Sequence, residues 1–426
     1  MKISVIGLGK AGLPLAAVIA DSGLDVLGVD LDKKRVRMIN NGINPIEEEP
    51  GLKELVKKHG NKKLKATSDA IDAAKQCNVH IVIVPLFIDE SKKADFSAIK
   101  KALEALSKGL KKNDIVVLET TVPVGTTENL VKNTLEKSSK LKAGIDFYLA
   151  YSPERIMTGY SISRYKEFPK LVGGINKESS KKAFEVYKKF SKPIRVSNAR
   201  AAELAKVAEG VYRDVNIAVA NELYKAAEHY NVDFWEMKEA AKHEYCNILE
   251  PGNVGGHCIP LYPWFLINEM NVPLIKAARA LNDDMVNYYF EKIKDIVKNN
   301  GKRVGVIGLS YREGVKEKAY SRSIAMIRLL KKKGYEVYGL DPLYSKEEIE
   351  RTIKEAYCPA KVVEDNPILQ ISRLIIFPNI KEFVINRPEK FGGTIKIKKY
   401  AELEELYSSG KIHPLDLKNS VASYLD

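Results

Sequence analysis

A glycine-rich turn close to the start of the chain constrains the fold more than any other feature of the sequence. Residues 2–6 are typical of a short apolar strand, and residues 11–22 have helical periodicity. Between a strand and a helix, the first glycine of such a turn permits the tight bend, the second lets backbone amides approach a pyrophosphate, and the third allows close helix–strand packing. The pattern predicts a dinucleotide site carried by Gly7, Gly9, Lys10, Ala11 and Gly12.

An acidic residue ends the next predicted strand, residues 25–30. Asp30 stands 18 residues past Gly12, where a carboxylate can accept hydrogen bonds from both ribose hydroxyls and would repel a 2′-phosphate. NAD is therefore the expected cofactor rather than NADP. Three cations at 33–35 weaken that preference, and Arg35 among them is included with the expected cofactor-binding residues. The alternative is a Rossmann domain that binds another nucleotide or none.

Strands and helices alternate through the first part of the chain. Further apolar strands are predicted at residues 80–84, 114–118 and 146–150, which is typical of a doubly wound, mostly parallel sheet. Residues 303–341 repeat the opening order of strand, helix and strand, and again end in an acid. The sequence therefore predicts an α/β protein with two Rossmann-like doubly wound domains.

A long helix is predicted between these two domains, over residues 198–230. The segment contains no proline, and its one glycine is Gly210. At 1.5 Å per residue the helix would reach roughly 50 Å, more than one domain needs. Helices of that length either bridge two domains or pair with a second copy of themselves in a homodimer, and the length leaves both alternatives open.

Composition and charge limit the classes of molecule that the chain is expected to bind. The 426 residues carry a formal net charge of +14, which favours anionic ligands such as a nucleotide diphosphate. We expect no nucleic-acid partner, because no zinc-finger, RNP or recognition-helix signature is present. We expect no membrane span, because no apolar run reaches roughly 18 residues, and no leader, because residues 1–9 already form a strand and its turn; the expected location is the cytoplasm. The four cysteines lack CxxC spacing, so no metal site is indicated.

One of these cysteines stands in a glycine-framed run. Cys258 lies in Gly-Gly-His-Cys-Ile-Pro at 255–260. A thiolate can add to an aldehyde, and loss of hydride from the adduct leaves a thioester that water hydrolyses. Possible partners are Thr121 and Glu154, each at the end of a predicted strand, and Lys206 on the long helix. Glycine amides are expected to depress the pKa of the thiol, and so is Lys206 if it lies beside Cys258, which the spacing along the chain does not show.

Together these segments resemble the UDP-glucose/GDP-mannose dehydrogenase family. The segments GLGKAGLPLA, NPIEEEPGL, ETTVPVGTTE, YSPER, AELAKVAEGVYRDVNIAVANEL and GGHCIP recur in that order over essentially the whole chain. The YSPER and HCIP forms are most similar to the branch that acts on UDP-N-acetylhexosamines, such as UDP-N-acetyl-D-mannosamine. The resemblance implies an NAD domain at 1–197, a central helical dimerisation domain at 198–298 and a UDP-binding domain at 299–426.

The resemblance also implies a reaction and roles for single residues. The C6 hydroxyl of a UDP-sugar, a precursor for polysaccharide biosynthesis, would be oxidised to the carboxylate with two NAD. Cys258 would be the nucleophile, Lys206 would steady negative charge on the C6 oxygen, and Glu154 and Thr121 would handle protons through a water. The cofactor would also contact Val84, Pro85 and Thr121, and the substrate would contact Glu154, Arg155, Lys206, Gly255, Gly256, Tyr311 and Arg312.

Several positions depart from the family pattern. Tyr262 stands where the family has aspartate, and Gly210 where it has an asparagine that holds the oxyanion. Tyr245 and Ala319 each stand where an arginine is expected, and Arg312 replaces a lysine. One explanation is an active dehydrogenase with altered substrate contacts, for the same sugar or for UDP-glucose or UDP-N-acetylglucosamine. Another is a paralogue that binds NAD and nucleotide-sugar but turns over poorly. A third, a two-electron hydroxy-acid dehydrogenase, would lack the second α/β domain.

Overall fold

The computed structural model describes residues 1–46, 48–89, 91–155, 159–298, 302–318, 320–341, 343–344, 360–363 and 366–424. The chain forms two compact units. The first comprises Met1–Gly252 and Cys258–Asn282, and the second comprises Asn253–His257 and Asp283–Asp426. Ala319, expected to replace a substrate-binding arginine, lies outside the described residues.

An eight-stranded sheet organises the first unit. Its strand order is β10-β9-β8-β7-β4-β1-β2-β3. Neighbours are parallel except β8 and β9, which are antiparallel. The order reverses at β1, so the carboxyl ends of β1 and β4 flank the switch point where α/β sheets bind ligands. The strands are β1 (Lys2–Ile6), β2 (Asp25–Val29), β3 (Leu64–Thr67), β4 (Val79–Val82), β7 (Ile115–Leu118), β8 (Tyr148–Tyr151), β9 (Lys170–Gly174) and β10 (Pro193–Arg195), with a separate hairpin of β5 (Phe87–Ile88) and β6 (Ala94–Asp95).

The sheet is covered on both faces because alternate residues of each strand enter different cores. In β1, Ile3 and Val5 pack into one hydrophobic cluster, whereas Ile6 packs into the other. Nearly every β1 side chain is buried, as expected for a strand between two helical layers. The helices of this unit are α1 (Gly12–Asp21), α2 (Lys33–Asn40), α3 (Leu52–His59), α4 (Ala70–Gln76), α5 (Ser97–Ser107), α6 (Lys132–Ser139), α7 (Ser161–Glu167), α8 (Lys177–Tyr187), α9 (Ala199–His229), α10 (Phe234–Ala240), α11 (Tyr262–Ile267) and α12 (Pro273–Ile296), the last contributing to both units.

The long helix predicted from the sequence is confirmed as α9. It begins after Asn198, whose side chain accepts a hydrogen bond from the Ala201 amide at 2.9 Å, and it has 31 residues. An asparagine at this position satisfies an amide that the first turn leaves unpaired. Gly210 lies in mid-helix, where glycine costs about 1 kcal/mol relative to alanine, so a packing reason for it is required.

The second unit repeats the start of the first. Strands β11 (Arg303–Ile307) and β12 (Glu336–Leu340) are parallel, and α13 (Arg322–Lys332) joins them after the N-cap Ser321. The predicted echo of the opening pattern is therefore present, and the α/β fold class is confirmed. The remaining described elements are an antiparallel pair, β13 (Phe383–Ile385) and β14 (Ile395–Ile397), and the helices α14 (Pro367–Ile371), α15 (Tyr400–Ser408) and α16 (Pro414–Tyr424).

Among the described residues, no helix is both long and apolar enough to span a bilayer.

Candidate functional site

The glycine turn after β1 has the geometry that a pyrophosphate site requires. Gly7 has a φ of 102°, and a Cβ there would lie 2.6 Å from the Ile83 carbonyl oxygen. A Cβ on Gly12 would lie 1.8 Å from the Gly7 carbonyl oxygen, so strand and helix meet at a distance that only glycine permits. A Cβ on Gly9 would meet nothing within 4 Å. The open side at Gly9, next to Lys10 and Ala11 at the start of α1, leaves room for a phosphate against the backbone.

Asp30 joins this turn to the end of β2. One carboxylate oxygen, Oδ2, accepts hydrogen bonds from the Leu8 amide and from Arg35 Nη1, each at 3.0 Å. The other, Oδ1, accepts from the Asp32 amide at 2.9 Å. Because each carboxylate oxygen has two lone pairs, Oδ2 is fully used by these two donors, whereas Oδ1 can still accept from one ribose hydroxyl. Asp30 and Arg35 therefore both lie at the edge of the sheet where the cofactor is expected, and the Arg35 guanidinium donates a hydrogen bond to the Asp30 carboxylate.

The expected cofactor contacts on β4 and β7 lie at the same edge of the sheet. Val84 and Pro85 follow β4, and the Val84 carbonyl accepts a hydrogen bond from Thr120 Oγ1 at 2.6 Å. Thr121, the next residue, follows β7 and is half-buried. The carboxyl ends of β1, β4 and β7 thus bring the glycine turn, Val84 and Thr121 to one edge.

The candidate nucleophile lies on a tight turn that leads into α11. The Cys258 carbonyl accepts hydrogen bonds from the amides of Leu261 at 3.2 Å and Tyr262 at 3.1 Å. The cysteine itself exposes surface and forms no disulfide. Its backbone is fixed, while its side chain remains accessible for reaction.

The expected depression of the thiol pKa is wrong. Displacement of solvent by surrounding protein atoms raises the pKa of the Cys258 thiol above its ordinary value, although the residue still exposes surface. The charge of Lys206 and a hydrogen-bonding interaction with Tyr262 lower the pKa but do not overcome this loss of hydration, and the charge of Glu154 raises it. Arg213, which the sequence did not single out, also lowers it.

Lys206 lies on the buried face of α9. Its side chain is buried, with 7% of the residue exposed, and its Nζ is 5.9 Å from the centroid of the Tyr262 ring. A buried ammonium is suited to stabilising negative charge that develops on a nearby oxygen. Lys206 lies close enough to Cys258 for its positive charge to lower the pKa of the thiol.

Glu154 and Arg155 follow β8, where their surroundings differ. The Glu154 amide donates to the Glu119 carbonyl at 3.1 Å, and the carboxylate acts electrostatically on both Cys258 and Tyr262. Arg155 Nη1 donates to the Pro169 carbonyl at 2.9 Å, and Nη2 forms an ion pair with Glu209 on α9. The Glu154 carboxylate is therefore within electrostatic range of the thiol, whereas the Arg155 guanidinium is bound to protein groups.

Two buried carboxylates hold the loops that carry these residues. Glu119 forms a buried ion pair with Lys170, whose Nζ also donates to the Pro153 carbonyl at 2.9 Å. Glu203 on α9 accepts from the Thr127 amide at 2.9 Å and from the Thr127 hydroxyl at 2.7 Å. No role is predicted from the sequence for either acid, although each lies inside a segment that resembles the family. The sequence does not show that these two acids are buried. Because burial removes water from them, the pKa of each carboxyl group is raised.

Two departures from the family pattern, Gly210 and Tyr262, are in direct contact. A Cβ on Gly210 would lie 2.4 Å from Cδ2 of the Tyr262 ring and 3.1 Å from its Cγ. The ring therefore occupies the space above α9 that any larger side chain at 210 would need. Tyr245, another departure, is 86% exposed, so it does not share this contact.

The second unit holds the remaining expected substrate residues. A Cβ on Gly256, whose φ is 88°, would lie 2.8 Å from the Tyr311 ring, and one on Gly255 would lie 3.4 Å from Tyr311 Cβ. The Arg312 guanidinium carbon is 6.0 Å from the centroid of the Tyr311 ring. The structure thus brings the glycine loop and Tyr311 together, with Arg312 beside the ring.

Comparison with known proteins agrees with the motifs and the fold. Residues 1–191 match the "UDP-glucose/GDP-mannose dehydrogenase family, NAD binding domain", and residues 200–284 match the central domain of that family. The UDP-N-acetyl-D-mannosamine dehydrogenase of Methanocaldococcus jannaschii is 36% identical over 370 residues, covering 83% of each chain. That of Methanococcus maripaludis is 38% identical over 352 residues, covering 80% of this chain and 79% of the relative.

A solved structure is similar over the same extent. The UDP-D-ManNAc dehydrogenase of Pyrococcus horikoshii superposes with a TM-score of 0.76 at 31% identity, covering 82% of this chain and 87% of the other. The first unit thus carries an NAD binding domain, in agreement with the open glycine turn and the acid at the end of β2. Matched sequence, fold and site geometry together place this chain in the UDP-glucose/GDP-mannose dehydrogenase family.

Proposed function

We propose that the chain is an NAD-dependent UDP-sugar 6-dehydrogenase, which oxidises the C6 hydroxyl of UDP-N-acetyl-D-mannosamine to the uronic acid. The observation that most supports the proposal is that Lys206 and Glu154, which belong to the first unit with Cys258, lie close enough for their charges to act on its thiol. The choice of sugar is supported by the names of the relatives from M. jannaschii and M. maripaludis.

The cofactor is proposed to bind along the carboxyl edge of the sheet in the first unit. Gly7, Gly9, Lys10, Ala11 and Gly12 would hold the pyrophosphate, as the open side of Gly9 supports. Asp30 with Arg35 would hold the ribose, and Val84, Pro85 and Thr121 would line the path towards the reacting carbon. When bound, NAD accepts one hydride in each of the two oxidations.

The chain's own residues then carry the covalent chemistry. The Cys258 sulfur attacks the C6 aldehyde, a C–S bond forms, and the carbonyl π electrons move to oxygen. Lys206 stabilises the negative charge on that oxygen. After the second oxidation, Glu154 takes a proton from a water held near Thr121, and the resulting hydroxide displaces sulfur from the thioester. The products are the carboxylate and the regenerated thiol.

The nucleotide part of the substrate is proposed to use residues of the second unit. Gly255 and Gly256 lie on the loop that packs on Tyr311, and Arg312 would supply a positive charge for the diphosphate. Arg155 contributes by holding the segment that carries Glu154, through its ion pair with Glu209. This assignment follows the proposed division into an NAD domain (1–197), a central helical domain (198–298) and a UDP-binding domain (299–426).

A homodimer in the cytoplasm is part of the proposal. Leu204, Tyr212 and Val219 are exposed on α9, and their spacing of eight and seven residues places them on one face of the helix. Exposed apolar side chains in a row favour a second copy of the same helix as partner. The proposed location is the cytoplasm, and the proposed role is to supply uronic acids for polysaccharide biosynthesis.

A second candidate function is a paralogue that binds NAD and nucleotide-sugar with weak turnover. The raised pKa of the Cys258 thiol and the absence of a side-chain donor at Gly210 favour it. Removal of one oxyanion donor costs about 100- to 1,000-fold in rate in other enzymes. Measured turnover separates this candidate from the active dehydrogenase.

The proposal predicts two NADH per molecule of sugar oxidised. The assay would supply UDP-N-acetyl-D-mannosamine, UDP-N-acetylglucosamine or UDP-glucose together with NAD. It would follow the absorbance of NADH over a range of sugar concentrations up to saturation and quantify the uronic acid. We expect the first sugar to have the highest kcat/KM.

Cys258→Ala should abolish net oxidation because no thioester forms, whereas Cys246→Ser, a change at a half-buried thiol, serves as the control and should retain activity. No NADH from any sugar, or full stoichiometry in Cys258→Ala, would refute the proposal.

A further inference from the structure

The peptide group that joins Pro153 to Glu154 is held at both of its polar ends. The Glu154 amide donates to the Glu119 carbonyl at 3.1 Å, and the Pro153 carbonyl accepts from Lys170 Nζ at 2.9 Å. Because a peptide group is planar, contacts to its N–H and to its C=O together fix the plane. The Cα of Glu154 lies in that plane, so these contacts restrict the direction in which the Glu154 side chain leaves the backbone.

The two residues that make these contacts are paired with each other in the interior of the first unit. Glu119 is fully buried, Lys170 is 3% exposed, and their side chains form an ion pair. The Tyr187 hydroxyl donates to the other oxygen of the Glu119 carboxylate. Lys170 Nζ also lies 5.7 Å from the ring centroid of Tyr165 and 5.8 Å from that of Tyr187. An ammonium with these neighbours has little freedom, so packing determines where it meets the Pro153 carbonyl.

A second contact joins the same two segments in the opposite direction. Lys170 is the first residue of β9 and binds the segment that follows β8. Arg155, in that segment, donates through Nη1 to the carbonyl of Pro169, the residue before Lys170, at 2.9 Å. Strands β8 and β9 are antiparallel neighbours, so the end of one lies beside the start of the other. The two contacts therefore hold the segment that carries Glu154 against the start of β9.

A buried ammonium at this position is not explained by stability alone. Replacement of a buried ion pair by apolar side chains of similar volume is often neutral or stabilising, because two charges must lose their hydration. An apolar side chain at 170 could pack against the two tyrosine rings but could not donate to the Pro153 carbonyl. The contact with the backbone before Glu154 is therefore what the lysine contributes.

We propose that Lys170 is a positioning residue that sets the direction of the Glu154 carboxylate by holding the Pro153–Glu154 peptide group. The role of Glu154 as the base in thioester hydrolysis rests on the proposed function, whereas the contacts that hold its backbone do not. A general base must lie within hydrogen-bonding reach of the water that it activates, and a displacement of about 1 Å can cost roughly a hundredfold in rate. Loss of the Lys170 contact should therefore slow thioester hydrolysis more than the two oxidations that precede it.

The test compares Lys170→Met with Lys170→Met/Glu119→Gln in the full-length protein. In the single variant a buried carboxylate loses its cationic partner, so this variant should be strongly destabilised. In the double variant no unpaired charge remains, the backbone carbonyl at 119 still accepts from the Glu154 amide, and Tyr187 can donate to the new amide oxygen. We expect the melting temperature of the double variant to lie well above that of the single variant, while the contact with the Pro153 carbonyl stays absent.

With NAD and UDP-N-acetyl-D-mannosamine, the double variant should accumulate the thioester. We expect kcat to fall about ten- to a hundredfold and kcat/KM to fall much less, because hydrolysis follows both hydride transfers. Mass spectrometry of protein quenched during turnover should find the acyl group on the Cys258 peptide in a larger fraction of molecules than in the wild-type protein. Lys111→Met is the matched control, since Lys111 Nζ donates to the carbonyls of Lys75 and Cys77, each at 2.7 Å, on the side of the sheet where β4 begins. It should retain the wild-type kcat and acyl fraction.

Hydrogen exchange at the Glu154 amide reports the same contact without turnover. In the double variant this amide should exchange at least roughly tenfold faster, because the peptide group has lost a hydrogen bond to a charged donor. The amides of β7 should exchange as in the wild-type protein. Unchanged exchange would overturn the inference, and so would faster exchange with kcat and kcat/KM lowered equally and no excess of acylated Cys258.

The outcomes also separate this inference from the proposed function. If the wild-type protein yields no NADH from any sugar while the double variant exchanges faster at Glu154, the proposed function fails and Lys170 still sets the backbone at that residue. If the wild-type protein forms two NADH per sugar while exchange and the acyl fraction are unchanged in the double variant, the inference fails and the proposed function holds.

Discussion

Gly210 and Tyr262 act as one structural pair, although 51 residues separate them in the chain. Because Gly210 has no side chain, the ring of Tyr262 packs directly against the backbone of α9 at this position. The same ring lies 5.9 Å from Lys206 Nζ, which suits an ammonium near an aromatic face. A glycine in mid-helix is thus explained by what packs on it, and each residue limits what the other can be.

The pair predicts that an added methyl group at 210 is harmful only while the ring is present. In Gly210→Ala, overpacking against Tyr262 should cost about 1–3 kcal/mol, which exceeds the gain of about 1 kcal/mol from helix propensity. Urea unfolding should show a lower midpoint. In a Tyr262→Ala background the same change should raise the midpoint instead. A stabilising Gly210→Ala in the wild-type background would contradict the packing argument.

At the scale of elements, each unit has an aspartate after its second strand that accepts hydrogen bonds from the turn after its first strand. In the first, Asp30 after β2 accepts from the Leu8 amide at 3.0 Å. In the second, Asp341 after β12 accepts from the amides of Leu309 and Ser310, each at 2.8 Å. The glycines before these amides, Gly7 and Gly308, have φ values of 102° and 89°. Each acid therefore fixes the turn that leads out of the preceding parallel strand.

The acid of the first unit is predicted to select the dinucleotide. Removal of the carboxylate in Asp30→Ala takes away the acceptor for a ribose hydroxyl and leaves Arg35 without its partner. NAD binding should weaken about ten- to a hundredfold, since hydrogen bonds to a charged group contribute about 1.5–3 kcal/mol, and NADP should lose far less or gain. Calorimetric titration with both dinucleotides measures this. Asp69→Ala, a change at the N-cap of α4, is the control, and equal loss of affinity for NAD and NADP would show that Asp30 only supports the turn.

At the scale of the whole molecule, α9 links the site to the proposed dimer. Its buried face carries Lys206, Gly210 and Glu203, and its exposed face carries apolar side chains. Exposed fractions of 47% for Leu204, 69% for Tyr212 and 48% for Val219 leave apolar area in water that association would remove. A partner at this face would stiffen the helix from which the lysine projects.

The proposed dimer predicts a change of mass when this face is charged. Light scattering after gel filtration should find a dimer for the wild-type protein, and Val219→Glu should shift it towards the monomer, because two carboxylates would be buried without partners. Ile145→Glu, at an apolar residue with 80% exposure outside α9, should leave the mass unchanged. A wild-type protein that is monomeric at micromolar concentration would refute the dimer.

The sequence by itself determined the features that depend on neighbours along the chain. The glycine turn, the acid after β2, the uninterrupted helix α9 and the repeat at residues 303–341 follow from backbone freedom, periodicity and strand alternation, which are local properties. Only the tertiary structure decided that Gly210 and Tyr262 are in contact, that Glu119 and Glu203 are buried, and that the pKa of Cys258 is raised. Those properties depend on atoms from distant segments, since hydration and packing at a point are set by everything that surrounds it in space.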